Sequence, residues 1–184
     1  MKKQLILLLF TATVALSACG NNNGGVNDMS SNNTQMEHGA HSSSSEVPKD
    51  LKIAESPTYT IGSEAIIQTD HMEGMKGATA TIVGAFDTIA YTVSYRPTTG
   101  GVPVTNHKWI IQEEIKKHSK ETYEIGTEVT MEADHMKGMN GAKAHIDAAE
   151  HTTVYMIDYT PTTGGAQVKN HKWVTENELS AIEK

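Results

Sequence analysis

Tyr91-Thr92-Val93-Ser94-Tyr95-Arg96-Pro97-Thr98-Thr99-Gly100-Gly101 is the stretch on which the fold turns. Its first five residues alternate with period two, the pattern of a strand with one buried face. Pro-Thr-Thr-Gly-Gly then predicts a hairpin loop, because glycine reaches positive φ without a Cβ clash. The same phrase returns as Tyr155-Met156-Ile157-Asp158-Tyr159 and Pro161-Thr162-Thr163-Gly164-Gly165, an offset of 64 residues.

Working outward, the offset holds without a gap. Tyr59-Thr60-Ile61-Gly62 returns as Tyr123-Glu124-Ile125-Gly126, and Asn106-His107-Lys108-Trp109 as Asn170-His171-Lys172-Trp173. Asp70-His71-Met72-Glu73-Gly74-Met75-Lys76-Gly77-Ala78 returns as Asp134-His135-Met136-Lys137-Gly138-Met139-Asn140-Gly141-Ala142. Roughly half of the paired positions are identical, which marks a duplication. Ala65-Ile66-Ile67-Gln68 and Ala80-Thr81-Ile82-Val83 read as further short strands bounded by glycine, as do Val102-Pro103-Val104 and Lys108-Trp109-Ile110-Ile111. Gln112 to Lys117 reads as a helical turn. Five short strands in about 60 residues favour a closed sheet without free edges. The expected fold is therefore all-β: two tandem small SH3-like β-barrels over residues 57–117 and 122–184, each able to fold alone, with an OB-type barrel as the other candidate.

The preceding residues are of another kind. Met1-Lys2-Lys3 is followed by an apolar run from Leu5 to Leu16, too short to span a bilayer. Leu16-Ser17-Ala18-Cys19 resembles a bacterial lipobox. That resemblance implies a signal peptide over 1–18, cleavage before Cys19 and lipidation of its sulfur, so that the protein is anchored to the outer face of the cell membrane. Two or three acyl chains suffice for stable anchoring, at roughly 0.8 kcal/mol per buried methylene. Residues 19–56 are rich in Asn, Ser and Gly and predict a disordered tether. Cys19 is the only cysteine, so a lipidated chain would have neither disulfide nor free thiol. The net charge of −7 argues against nucleic acid as a partner.

The chemistry concentrates in Asp-His-Met-x-Gly-Met-x-Gly-Ala. One imidazole and two thioethers fall within five residues, and this soft set suits Cu(I) far better than Zn(II), Mg(II) or Ca(II). The candidate metal ligands are His71, Met72, Met75 and His107 in the first copy, and His135, Met136, Met139 and His171 in the second. The competing explanation is packing: methionine fills gaps in small cores, and a lone histidine is often scaffold. Two facts favour metal. Within the copies only Met131 and Met156 lie outside the motif, and the tether repeats the chemistry in Met36, His38 and His41, where there is no core to fill. Those three form a secondary, weaker set. In a regular strand His107 and Trp109 would share a face, as would His171 and Trp173, placing an indole over the cation or in the barrel core. Asp70 and Asp134 are candidates for orienting the imidazoles or for forming turns. His118, His145 and His151 have no counterpart in the other copy and read as surface residues.

The lipobox, the Met/His tether and the doubled motifs resemble the YdhK family of Gram-positive lipoproteins over nearly the whole chain. Within it they look most like CopL-type copper-binding lipoproteins. The resemblance implies copper binding outside the membrane and protection against copper toxicity. The first functional reading is a lipoprotein that sequesters Cu(I) at the cell surface or hands it to an export partner such as a copper-exporting ATPase. The other functional reading is an SH3-like module that binds cell-wall peptide or glycan. An enzyme is not expected. No Ser/His/Asp group repeats, and neither a phosphate loop nor HExxH is present. The repeated acids considered are Asp70/Asp134 and Glu64/Glu128, one of each per copy.

Overall fold

The computed structural model describes residues 44–183. The expected signal, lipidated cysteine and Met36/His38/His41 set lie outside the described residues. The strands are β1 (Lys52–Ile53), β2 (Glu64–Ile67), β3 (Thr79–Tyr95), β4 (Val104–Ile111), β5 (Glu128–Thr130), β6 (Lys143–Tyr159), β7 (Val168–Thr175) and β8 (Leu179–Ser180). The 3-10 turns Gln112–Glu114 and Glu176–Glu178 follow β4 and β7. The fold is all-β, as the alternation predicts. Among the described residues no helix is long and apolar enough to cross a membrane.

The barrels are the first correction. The eight strands form one open sheet, in the order β5-β6-β3-β2-β8, with β1 and β4 also on β3 and β7 on β6. The cause lies in β3 and β6. Each is a continuous strand of 17 residues where the sequence suggested two short ones. They pair antiparallel from Ala80↔Tyr159 to Tyr95↔Ala144. Thr88 lies opposite its own counterpart Thr152, so a pseudo-twofold axis relating the two copies passes between them. The register slips once in each strand, and the extra residues, Val83 and Asp147, are again counterparts. One inserted residue bends a strand without ending it.

This pairing entangles the copies. β2 of the first copy pairs with β8 at the end of the second, and Ile115 of the first bridges Met131 of the second. Each outer core is consequently mixed. One joins Ala65, Ile67, Met75 and Ile82 to Tyr155, Ile157, Tyr159, Val174 and Leu179. The other joins Tyr91, Val93, Tyr95, Ile110 and Ile115 to Val129, Met131, Met139 and Ile146. A third cluster, in the middle, packs Phe86, Trp109 and Ile111 against Val154, Met156 and Trp173. The copies therefore do not form the two self-contained barrels that the repeat lengths suggested.

Candidate metal centre

Two motifs meet across the repeats at either end of the β3–β6 ribbon, and the clamp begins at glycine. Gly74 and Gly138 have φ of 74° and 80°, which a side chain would strain. A Cβ on Gly74 would lie 2.6 Å from Thr163 Oγ1 and 2.9 Å from Pro161 Cβ, and one on Gly138 would meet Thr99 and Pro97 in the same way. The Thr162 amide donates to the Gly74 carbonyl at 2.8 Å, and the Thr98 amide to the Gly138 carbonyl at 2.9 Å. Thus the Pro-Thr-Thr-Gly-Gly loop of one copy grips the His-Met loop of the other.

The last strand of each copy brings the third motif. A register shift between Tyr91 and Val93 puts Lys108 and Trp109 opposite the single residue Thr92. The expected alternation is broken there, and this is the second correction: His107 and Trp109 do not share a face. Trp109 turns into the central cluster, 6% exposed, while His107 lies edge-on to Tyr95 with ring centroids 6.1 Å apart. The second copy matches, with His171 edge-on to Tyr159 at 5.9 Å and Trp173 fully buried.

As a result, each His-Met loop meets the histidine of the other copy. His71 and His171 have centroids 6.4 Å apart, and His107 and His135 have centroids 6.5 Å apart. Two imidazoles on one ion, with metal–nitrogen bonds of about 2 Å, place their centroids about 5–6.5 Å apart. Met72 is half-buried beside this first pair, and the Tyr159 hydroxyl donates to its sulfur at 3.5 Å. Met136 packs in the matching place against the second core. Met75 and Met139 sit deeper, fully buried inside the outer cores. Among the described residues no three His, Cys, Asp or Glu side chains are grouped to hold a metal. A third donor at either end would therefore be a thioether, and Met72 and Met136 stand nearest to solvent.

The decisive residues were missed in the sequence. Glu178 Oε1 lies 2.8 Å from His71 Nε2, and its Oε2 accepts from the Trp109 indole at 2.7 Å and the Thr175 amide at 3.2 Å. At the other end Glu114 Oε1 lies 2.7 Å from His135 Nε2, and its Oε2 accepts from Trp173 and the Ile111 amide, each at 3.1 Å. An ionised carboxylate only accepts, so Nε2 carries the proton in both imidazoles. Their Nδ1 atoms are buried and have no hydrogen-bond partner. Burial alone would raise the Glu178 pKa, but the bond and charge of His71, with the Trp109 and Thr175 donors, hold it at about 2. The role considered for Asp70 and Asp134 thus falls to Glu178 and Glu114, whose 64-residue offset was available as a signal.

The remaining groups separate cleanly. Lys108 lies 3.6 Å from Glu178 Oε1 and 5.0 Å from the Trp109 ring, so the cation over the indole is an ammonium. Lys172 donates to the Glu46 carbonyl, and burial lowers its pKa against the pull of Glu114, Glu46 and Asp134. His145 and His151 are exposed as expected, whereas His118 is half-buried and 3.0 Å from Asp50.

Chemically, each end offers a buried imidazole Nδ1 on a ring oriented by a carboxylate, a second imidazole 6.4–6.5 Å away and a neighbouring thioether. A carboxylate behind a histidine is the usual outer support of a metal ligand, since it orients the ring and raises its basicity.

The family described as "Protein of unknown function (DUF1541)" matches residues 61–112 and 125–176. The chain is 55% identical to the uncharacterized protein YdhK of Bacillus subtilis over 183 residues, which is 98% of this chain and 89% of that one. It is similar to the crystal structure of that DUF1541 family protein, with TM-score 0.76 and 60% identity, covering 78% of this chain and 97% of the other. The solution structure of the YdhK C-terminal domain matches with TM-score 0.63 and 64% identity, over 66% of this chain and 92% of the other. With both copies of the family matched and every repeated motif accounted for in one interlocked sheet, the chain belongs to the DUF1541 family as a tandem-repeat member.

Proposed function

We propose that this protein is an extracytoplasmic, lipid-anchored lipoprotein that binds Cu(I), sequesters it at the membrane surface and so protects against copper toxicity. One observation carries the reading: the buried, unpartnered Nδ1 atoms of His71 and His135, each on an imidazole whose Nε2 is held by a carboxylate. A buried polar nitrogen with no partner is costly unless something binds it. The neighbouring imidazole and thioether make a soft cation the fitting occupant. His71, Met72 and His171 would hold one ion, and His135, Met136 and His107 the other. Met75 and Met139 would support the loops by packing. Lipidation of Cys19 would hold the protein at the membrane, the Met36/His38/His41 set would capture copper weakly, and a copper-exporting ATPase would be the partner for transfer.

The cell-wall reading draws less support. It needs an exposed aromatic groove, and Trp109 and Trp173 are 6% and 0% exposed. The test is an anaerobic Cu(I) titration of the protein against a competing chelator, with Zn(II) as the control. Two Cu(I) per chain bound much more tightly than Zn(II) supports the proposal. Equal competition by Zn(II) would remove the thioethers from the site, and no binding of either would end the proposal.

A further inference from the structure

One segment breaks the twofold symmetry of the ribbon. Residues 44–54 precede the first copy, and the 64-residue offset carries 44–48 onto 108–112, which end β4 and open the turn after it. The second copy therefore has no such segment of its own. Followed backwards, the segment leaves one outer core at Ala54, pairs Ile53 and Lys52 with Phe86 and Asp87, and crosses the central cluster at Leu51 and Val47. It arrives at the His135 end.

There Lys172 donates to the Glu46 carbonyl and holds the segment in place. Ser44, Glu46, Val47 and Pro48 line a cavity of about 360 Å³, and His135 and Glu114 line the same cavity. His135 is 4% exposed, and its Nδ1 has no hydrogen-bond partner. The chain thus enters the fold beside a buried imidazole nitrogen open to a ligand. His41 stands three residues before Ser44. A chain spans at most about 3.8 Å per residue, so the two Cα atoms lie within about 11 Å of each other.

We infer that His41 is a further donor to the Cu(I) held at the His135/His107 end, and that the His71/His171 end has no equivalent of it. The inference rests on the copper reading above. Three imidazoles and a thioether then meet at one end, against two imidazoles and a thioether at the other. Imidazole is a good copper ligand. A donor joined by so short a linker acts at an effective concentration in the mM range, so even a weak one adds about tenfold to the affinity of the end it reaches.

The test is an anaerobic Cu(I) titration of the 15N-labelled protein against a competing chelator, with the imidazole resonances of the two ends read separately. His41→Ala weakens Cu(I) at the His135 end by about tenfold and leaves the His71 end as in the parent. Inserting about twelve Gly and Ser residues between Ser42 and Ser43 keeps every donor but lowers the effective concentration, and removes most of the same gain. Neither change touches a residue of the core, so the fold is retained. No change at either end, or an equal loss at both, overturns the assignment of His41 while leaving copper binding by the two copies intact. No response at any imidazole overturns the copper reading and this inference with it.

Discussion

Around Thr88 and Thr152 the β3–β6 ribbon buries Phe86, Trp109, Ile111, Val154, Met156 and Trp173 in a single apolar cluster. At each end the same two strands lie beside a glycine-clamped loop that carries a buried imidazole nitrogen without a partner. The middle joins the copies through shape and apolar burial. The ends join them through polar groups, and there the Nδ1 atoms of His71 and His135 remain unsatisfied. The indoles tie the regions together: each ring packs in the middle while its N–H reaches the carboxylate that holds a histidine at one end. Chemistry at the ends therefore depends on packing in the middle, and both depend on having two copies.

The largest expected effect comes from removing that second copy. A chain that stops at Lys120 loses Tyr155, Ile157, Tyr159, Val174 and Leu179 from one core, and Val154, Met156 and Trp173 from the central cluster. We expect no folded monomer, only unfolded chain or an association of two such fragments that restores the pairing. Proton chemical-shift dispersion with sedimentation decides this, and a well-dispersed monomer would mean that each copy carries its own core.

A smaller effect separates the two thioethers of one loop. Met75→Leu keeps volume and apolarity in a fully buried position, so apo stability should change by less than about 1.5 kcal/mol and Cu(I) affinity should change little. Met72→Leu, at the half-buried position, should leave stability alone and weaken Cu(I) at the His71 end by about tenfold or more. Chelator competition and thermal unfolding of both variants check this. The reverse pattern would move the ligand role inward to Met75.

The smallest effect concerns acid. Glu178 has a folded pKa of about 2, below the ordinary carboxylate value of 4.5. Its contribution is therefore complete above about pH 4.5 and is lost as pH falls towards 2. Glu178→Gln should flatten the fall in urea midpoint across that window. A variant as acid-sensitive as the parent would place the acid response elsewhere.

These contrasts also show what the sequence can display. Period-two alternation at Tyr91–Tyr95 and the gapless offset made the strands, hairpin loops and duplication legible, because each is a local pattern. Residues Gly84 to Ala90 read as a break between strands. They are strand because β6 of the other copy pairs along them, a long-range condition that no local window contains. The same holds for the barrels: with strands that short, closure was the economical way to remove edges, whereas the long ribbon removes its inner edges by pairing copy with copy. His71 and His107 were grouped by shared sequence, yet the ribbon runs antiparallel and carries them to opposite ends, each to the other copy's partner. Trp109 was misplaced because a single inserted residue ends the alternation just before it.

The central claim is that each proposed copper site would take its donors from both copies. The direct measurement is a site-resolved Cu(I) titration of His171→Ala. His171 belongs to the second copy but lies beside His71 of the first. The account predicts that the copper response of His71 is lost while His135 and His107 respond as in the parent protein. Loss at His135 with His71 unaffected would contradict it, because the donors would then come from one copy alone.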